Sequence, residues 1–254
     1  QARLICNPEN WGFAGGTNRG IQRAISEADV PILLLNNDAI IEEVDIQHLL
    51  DTLSARPEIG LIAPLLFDGS RPDRLISAGG KNPIRHHRTR ITTVPEETTP
   101  CAVEFLSGTA VLIRADVFRR VGLLDETYFF STELADFCMR ARQQGFACVV
   151  EPRARAYHQL ERSSSLRDSL YVYYIIRNRF IFIRNWTDRS RPFYYIVWGL
   201  YSVALWLRLS LGGQHKTAWA VRCGLIDGLR GRFGNQNHRV IGAVEPPVSM
   251  VASL

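Results

Sequence analysis

The sequence contains no Cys-x-x-Cys pair, and its five cysteines (Cys6, Cys101, Cys138, Cys148 and Cys223) are odd in number. This argues against a disulfide framework and a zinc site, and favours a reducing compartment. There is no internal repeat, no low-complexity tract, and no opening segment in which positive charge precedes an apolar core, so nothing reads as a secretory leader. The only methionines are Met139 and Met250, and the chain opens Gln-Ala-Arg-Leu, so residue 1 is not expected to be a translation start. Spanning a bilayer takes about 20 apolar residues; the charge-free run from Pro192 to Leu207 has 16. Acidic side chains are scarce in one part only. Residues 1–150 carry 15 basic and 19 acidic side chains, whereas residues 151–254 carry 15 and 6. A basic carboxyl-terminal part suits a nucleic acid, a phosphorylated substrate or an anionic membrane. Its arginines alternate with apolar and aromatic runs, which favours the membrane over nucleic acid.

What is present fits a globular protein. With 254 residues, 46% hydrophobic and 22% charged, the chain can form one α/β domain and an appendage. Apolar periodicity predicts helices over 16–28 and 46–53, the latter with Ile46, Leu49, Leu50 and Leu53 at i, i+3, i+4 and i+7. Continuous apolar runs predict buried strands over 31–35 and 59–64, and Leu4 to Cys6 reads as the end of another. Residues 68–100 read as loops with a hairpin, including a solvated Arg85-His-His-Arg88 cluster. Strand character returns over 103–114, followed by helices over 115–121 and 133–144 and two short strands, 146–150 and 154–158. The boundary between a catalytic domain, 1–165, and a helical, basic and aromatic extension, 166–254, is expected near residue 165.

The most informative stretch is Asn10-Trp-Gly-Phe-Ala-Gly-Gly-Thr-Asn-Arg-Gly20, followed after Pro31 by Ile-Leu-Leu-Leu-Asn-Asn-Asp38-Ala. A glycine-rich turn opens a helix, an apolar strand follows, and the strand ends on polar residues. In α/β sheets ligands gather at the carboxyl ends of strands, where helix amino termini converge. Each piece also fits an ordinary turn; their order and spacing together point to a site. This arrangement resembles the nucleotide-sugar half of family 2 glycosyltransferases with the GT-A fold. So do Gly122-Leu-Leu-Asp-Glu126, an aromatic pair, Glu133-x-x-Asp136, Arg140, Gly145, Ala156-x-His158 and Arg177-Asn178 further on. The resemblance covers about residues 4–180.

It implies an α/β, GT-A-type mixed and mainly parallel sheet flanked by helices. Its first strand would be missing here, because the family begins with a strand, a nucleoside-binding turn and a helix before the segment that starts at Leu4. It implies an inverting transfer of a hexosyl or rhamnosyl group from a nucleotide-diphosphate sugar to a hydroxyl of a cell-envelope glycan or glycolipid. Asn10, Gly12, Phe13, Ala14, Asn18, Asn36 and Asp38 would contact the nucleotide sugar. Asp38, with His158, would hold a divalent metal, Mg²⁺ or Mn²⁺, on the diphosphate. Ser107, Gly108 and Asp125 would lie on the acceptor side.

In one place the sequence departs from the family. The family has an acidic pair, Glu-Asp, whose second member is the usual catalytic base; here the pair is Glu133-Leu134. Leucine cannot accept a proton. Leu134, Phe137, Cys138 and Ala141 form one apolar helical stripe, expected in the core, with Glu133, Asp136 and Arg140 on a wetter neighbouring face. Glu133 is the nearest remaining acid and Asp136 the next. Asp136 with Arg140 also fits a surface i, i+4 ion pair, and Glu133 a helix amino-terminal carboxylate. His158 fits a buried structural histidine as well as a ligand. The alternative function is therefore a catalytically impaired relative, or a truncated remnant, that binds nucleotide sugar or a partner.

An aromatic helix is predicted over 171–183. The run from Pro192 to Leu207, rich in Trp and Tyr and flanked by Arg189, Arg191 and Arg208, suits a helix lying in the interface of an anionic membrane. The same face could dock on the catalytic domain or form a homodimer through the carboxyl-terminal helices. The expected location is cytoplasmic, peripheral on the inner face of the cell membrane.

Overall fold

A computed structural model describes residues 3–159 and 165–241. The chain divides into two units: Gln1–Glu126 with Glu133–Arg162, and Thr127–Thr132 with Ser163–Leu254.

The first unit is built on β3 (Ile59–Asp68), ten residues that are all buried. Its apolar run suits a strand covered on both faces. On one side β3 pairs with β6 (Ala110–Ile113), which pairs with β1 (Ile32–Leu35); on the other it pairs with β7 (Ala147–His158), which pairs with β2 (Ala39–Ile41). Two further strands, β4 (Arg71–Ser77) and β5 (Cys101–Ala102), pair with β3 and β7. The sheet is mixed and flanked by helices, but it is not mainly parallel: only β3–β7 is a parallel pairing, and the others are antiparallel. The reason is that β6 lies, reversed, between β1 and β3, which run in one direction. Helices α1 (Gly12–Glu27), α2 (Glu43–Ala55), α3 (Ala115–Val121) and α4 (Glu133–Gln143) complete the unit.

Two expected strands, 146–150 and 154–158, form one. The register of β7 on β3 runs from Ala147 to His158, with a jump where Pro64 pairs Glu151 and Leu65 pairs Arg155. Proline lacks the N–H a ladder needs; Pro64 on β3 stands at the slip and Pro152 lies among the β7 residues it skips, so the pairing bulges without ending. Leu4 to Cys6, expected as a strand end, is coil and exposed, and no described strand pairs with it. Helix α1 begins at Gly12, four residues before the expected start, and the Asn10 side-chain oxygen accepts the Gly12 N–H at 2.9 Å.

The main core gathers Ile21, Leu61, Val111, Val117, Phe137 and Val150, together with the α4 stripe Leu134, Phe137, Cys138 and Ala141. The expected wet face of α4 is corrected: Glu133 and Asp136 are buried too.

The second unit consists of α5 (Ser165–Trp186), α6 (Arg191–Leu211), α7 (His215–Arg230) and α8 (Asn237–Ile241). Its centre is polar as well as aromatic. Fully buried Arg177 donates to the Thr127, Tyr128 and Gly234 carbonyls, and Asn178 donates to those of Tyr128, Phe130 and Ser131. These bonds hold a backbone run in which Phe129, Ser131 and Thr132 have positive φ (61°, 68° and 76°). Left-handed conformations are costly for aromatic and β-branched residues and persist only where surroundings enforce them. The Arg177-Asn178 pair supplies that enforcement. No described helix is long and apolar enough to cross a membrane.

Candidate active site

The site elements meet at the end of the sheet where β1 stops. Asn36, the residue after β1, donates its N–H to the Thr109 carbonyl at 2.9 Å, so the Asn36–Asp38 loop lies beside the Ser107–Thr109 loop that enters β6. Ser107 and Thr109 hydroxyls are 3.2 Å apart, which fixes the second loop. Between these two residues, Gly108 is packed so closely that an added Cβ would come 3.2 Å from Leu134 Cδ2 and 3.3 Å from Phe13 Cζ. A larger residue there would make Leu134 or Phe13 give by a few tenths of an ångström, and the contact joins the start of α1 to the start of α4.

On the neighbouring strand pair, Ala39 is opposite His158, which places the imidazole beside the loop that carries Asp38. His158 Nε2 lies 3.0 Å from Asp38 Oδ1, and the Gln159 N–H donates to the Asp38 carbonyl at 2.9 Å. The two residues singled out as metal ligands are thus in direct contact. No group of three or more His, Cys, Asp or Glu side chains that could hold a metal occurs among the described residues. Two protein donors still fit Mg²⁺ or Mn²⁺, because such ions are commonly held by one or two carboxylates with the substrate's phosphate oxygens completing the shell.

Beyond His158, on its β3 side, lies Asp68, buried and register-paired with it. The Ser70 hydroxyl and N–H bond one carboxylate oxygen, and Arg71 and Arg74 approach the other at 3.5 and 3.3 Å. The Ser70 hydroxyl, aided by its N–H and the two arginines, holds the Asp68 carboxyl below the ordinary value. Both oxygens are taken, so Asp68 anchors the two arginines beside the site. Asp68 was outside the expected set of site residues, although it ends a strand on a carboxylate just as Asp38 follows one.

At the start of α4, Glu133 is only 6% exposed. Its Oε2 is buried and has no hydrogen-bond partner among the described residues. Burial pushes its carboxyl up to about 7, opposed only by its own backbone N–H. Perturbation of this kind, caused by desolvation, marks candidate acid–base groups. Asp136 is differently placed: Arg140 donates to its Oδ2 at 2.8 Å and, with its other nitrogens, to the Val121 and Leu123 carbonyls. It serves to tie α4 to the loop that follows α3.

Two residues assigned to the nucleotide sugar are buried elsewhere. Ala14 is fully buried in the core. Asn18 spends its amide on the Leu124 carbonyl and Glu126 Oε1, each at 2.9 Å, and accepts the Leu124 N–H at 3.0 Å. It clamps the loop carrying Asp125 and Glu126 onto α1, and both polar ends of its side chain are occupied. Phe13 is half-buried against the core, while Asn10 is exposed and Gly12 half-exposed at the helix start. The Glu126 carboxylate, set against Gly15 of α1, was outside the expected set of site residues. Residues 85–88 are an exposed loop, as expected.

Known proteins share this chain's family and fold. The family described as glycosyltransferase like family 2 matches residues 1–174. A hexosyltransferase of low-salt glycan biosynthesis from Haloferax volcanii, Agl10, is 27% identical over 175 residues, covering 68% of this chain and 57% of the relative. An N-acetylglucosaminyl-diphospho-decaprenol L-rhamnosyltransferase of Mycobacterium tuberculosis is 25% identical over 205 residues, covering 72% and 67%. The chain thus spans between just over half and two thirds of the length of these relatives. Among solved structures, GalNAc-T7 with UDP, GalNAc and Mn²⁺ superimposes with a TM-score of 0.57 at 16% identity, covering 74% of this chain and 37% of that one. The fold is of the GT-A type.

Proposed function

Since the chain belongs to glycosyltransferase like family 2, we propose that it transfers a sugar, with inversion, from a nucleotide-diphosphate donor to a hydroxyl of a cell-envelope glycan or lipid-linked acceptor. The observation that carries the mechanism is Glu133: buried, with an unpartnered oxygen, and titrating near neutrality. The acceptor hydroxyl is a poor nucleophile at pH 7 until its proton is removed as it attacks. In this reading Glu133 takes that proton. The acceptor oxygen forms a bond to the anomeric carbon, the bond to the diphosphate breaks, and the nucleotide diphosphate leaves from the opposite face. One displacement inverts the configuration. A carboxyl near 7 is present in part as the carboxylate at neutral pH and gains basicity from its apolar surroundings.

Asp38 and His158 are the residues that would hold Mg²⁺ or Mn²⁺, which would neutralise charge on the departing diphosphate. Asn10, Gly12 and Asn36 stand on the donor side, with Ser107, Gly108 and Asp125 on the acceptor side. The M. tuberculosis relative is named for a lipid-linked diphosphate acceptor and L-rhamnose, which supports a lipid-linked acceptor and transfer of a rhamnosyl or hexosyl group here. Such an acceptor would place the reaction at the cytoplasmic face of the cell membrane. The test is incubation with nucleotide-diphosphate sugars, Mn²⁺ and a lipid-diphosphate sugar acceptor, with the anomeric configuration of the product read by NMR. Inversion supports the proposal; retention overturns it.

A second reading keeps the fold and removes the catalysis. Leu134 stands where the family's second acid is expected, and it is 4% exposed, in the core. A chain with no usable base would bind nucleotide sugar and transfer none.

A further inference from the structure

Helix α6 packs one side onto its own unit and leaves the other open. Trp198, Ser202 and Leu209 are buried, the Arg179 guanidinium lies 3.7 Å from the Trp198 ring centre, and Tyr195 donates to the Phe180 carbonyl at 3.3 Å. On the outer side Phe193 (62% exposed), Ile196 (62%), Leu200 (67%), Leu207 (49%) and Leu211 (90%) recur at spacings of three, four and seven. At 100° per residue these fall on one stripe that runs the length of the helix. A continuous apolar face of this kind marks an interaction surface.

The surrounding charge selects the occupant. Residues 165–241 hold twelve basic side chains and three acidic ones. One of the three, Asp227, is fully buried, accepts from Tyr173 at 2.8 Å and lies against Arg239 and Arg232. Helix α6 itself contains no acid, Arg208 borders the stripe between Leu207 and Leu211, and exposed Arg184, Arg189 and Lys216 flank the helix in sequence. A second copy of the chain would bring like charge against like. Anionic lipid headgroups complement the charge, and the acyl boundary accommodates the apolar stripe.

We infer that the outer face of α6 seats the protein in the interface of an anionic bilayer, lying along the surface without crossing it. This names the surface on which a lipid-linked acceptor would be met and so rests on the reading above for its purpose. Vesicle binding is measured without donor or acceptor, so its failure leaves that reading standing.

The experiment is co-sedimentation of the whole chain with phosphatidylglycerol-containing and pure phosphatidylcholine vesicles at low and high salt. Light scattering gives the oligomeric state in parallel. The expected result is binding to the anionic vesicles that salt weakens. The double variant Ile196→Glu, Leu200→Glu, at positions the fold leaves exposed, loses about tenfold or more in partitioning. Arg208→Glu weakens binding to anionic vesicles and leaves the phosphatidylcholine value unchanged. The inference is overturned if the double variant binds as well as the parent. It is equally overturned if the parent binds no vesicles and the double variant converts a dimer to a monomer.

Discussion

Leu134 rests on Gly108 so closely that a Cβ on the glycine would meet its Cδ2 at 3.2 Å. The side chain at the position of the family's second acid therefore helps to seal the core between α1, the Ser107–Thr109 loop and α4. An aspartate placed there would lose this packing and bury a charge. Leu134→Asp is expected to cost about 2–5 kcal/mol in stability, seen as a lower midpoint in denaturant unfolding, and to leave transfer no faster. A large gain in transfer would favour the impaired-relative reading.

Asp38 and His158 should act as one unit toward the diphosphate. Asp38→Ala is expected to abolish Mn²⁺-dependent binding of a nucleoside diphosphate in calorimetry, and His158→Ala to weaken it. Unchanged affinity in Asp38→Ala would remove the metal assignment.

The buried Glu133 carboxyl also predicts a pH dependence of stability. Its value is raised from 4.5 in the unfolded reference to about 7 in the fold. The native state therefore holds a proton that the unfolded chain has released, and its stabilising effect is complete below about 4.5 and lost as pH rises through about 7. The loss is at most about 3 kcal/mol. Glu133→Gln, which cannot ionise, should unfold with a flatter dependence over this range and be more stable than the parent at pH 8.

Much of this was legible in the sequence because it depends on short-range order. The apolar run of β3, the Asn36–Asp38 strand end, the α4 stripe and the charge-free α6 all appear as contiguous or periodic patterns. What was not legible depends on contacts made far along the chain. Asn18 reads as a polar residue in a ligand-binding motif, and only its partners more than a hundred residues away, Leu124 and Glu126, show that its amide is spent. Strand direction was missed for the same reason, since apolar runs do not reveal that β6 lies reversed between β1 and β3. Glu133 reads as a helix-terminal carboxylate, and its burial follows from packing around the α4 start.

The positive-φ run ahead of α4 gives a further expectation. Asn178→Ala leaves the Tyr128, Phe130 and Ser131 carbonyls without that donor, at a cost of about 1–3 kcal/mol. Lower thermal stability with altered near-ultraviolet dichroism from the Phe129, Tyr173 and Tyr174 cluster would register it. Unchanged values would mean that the run is held by other contacts.

The central claim is that Glu133 removes the acceptor proton. It is tested most directly by the pH dependence of the single-turnover transfer rate in the parent, Glu133→Gln and Asp136→Asn. In the parent the rate should rise with pH through about 7, as the carboxylate forms. Glu133→Gln should fall about 10²–10⁴-fold and lose that rise, while Asp136→Asn, less stable once its bond to Arg140 is weakened, should keep it. An unchanged rate and profile in Glu133→Gln, with transfer abolished in a folded Asp136→Asn, would contradict the claim.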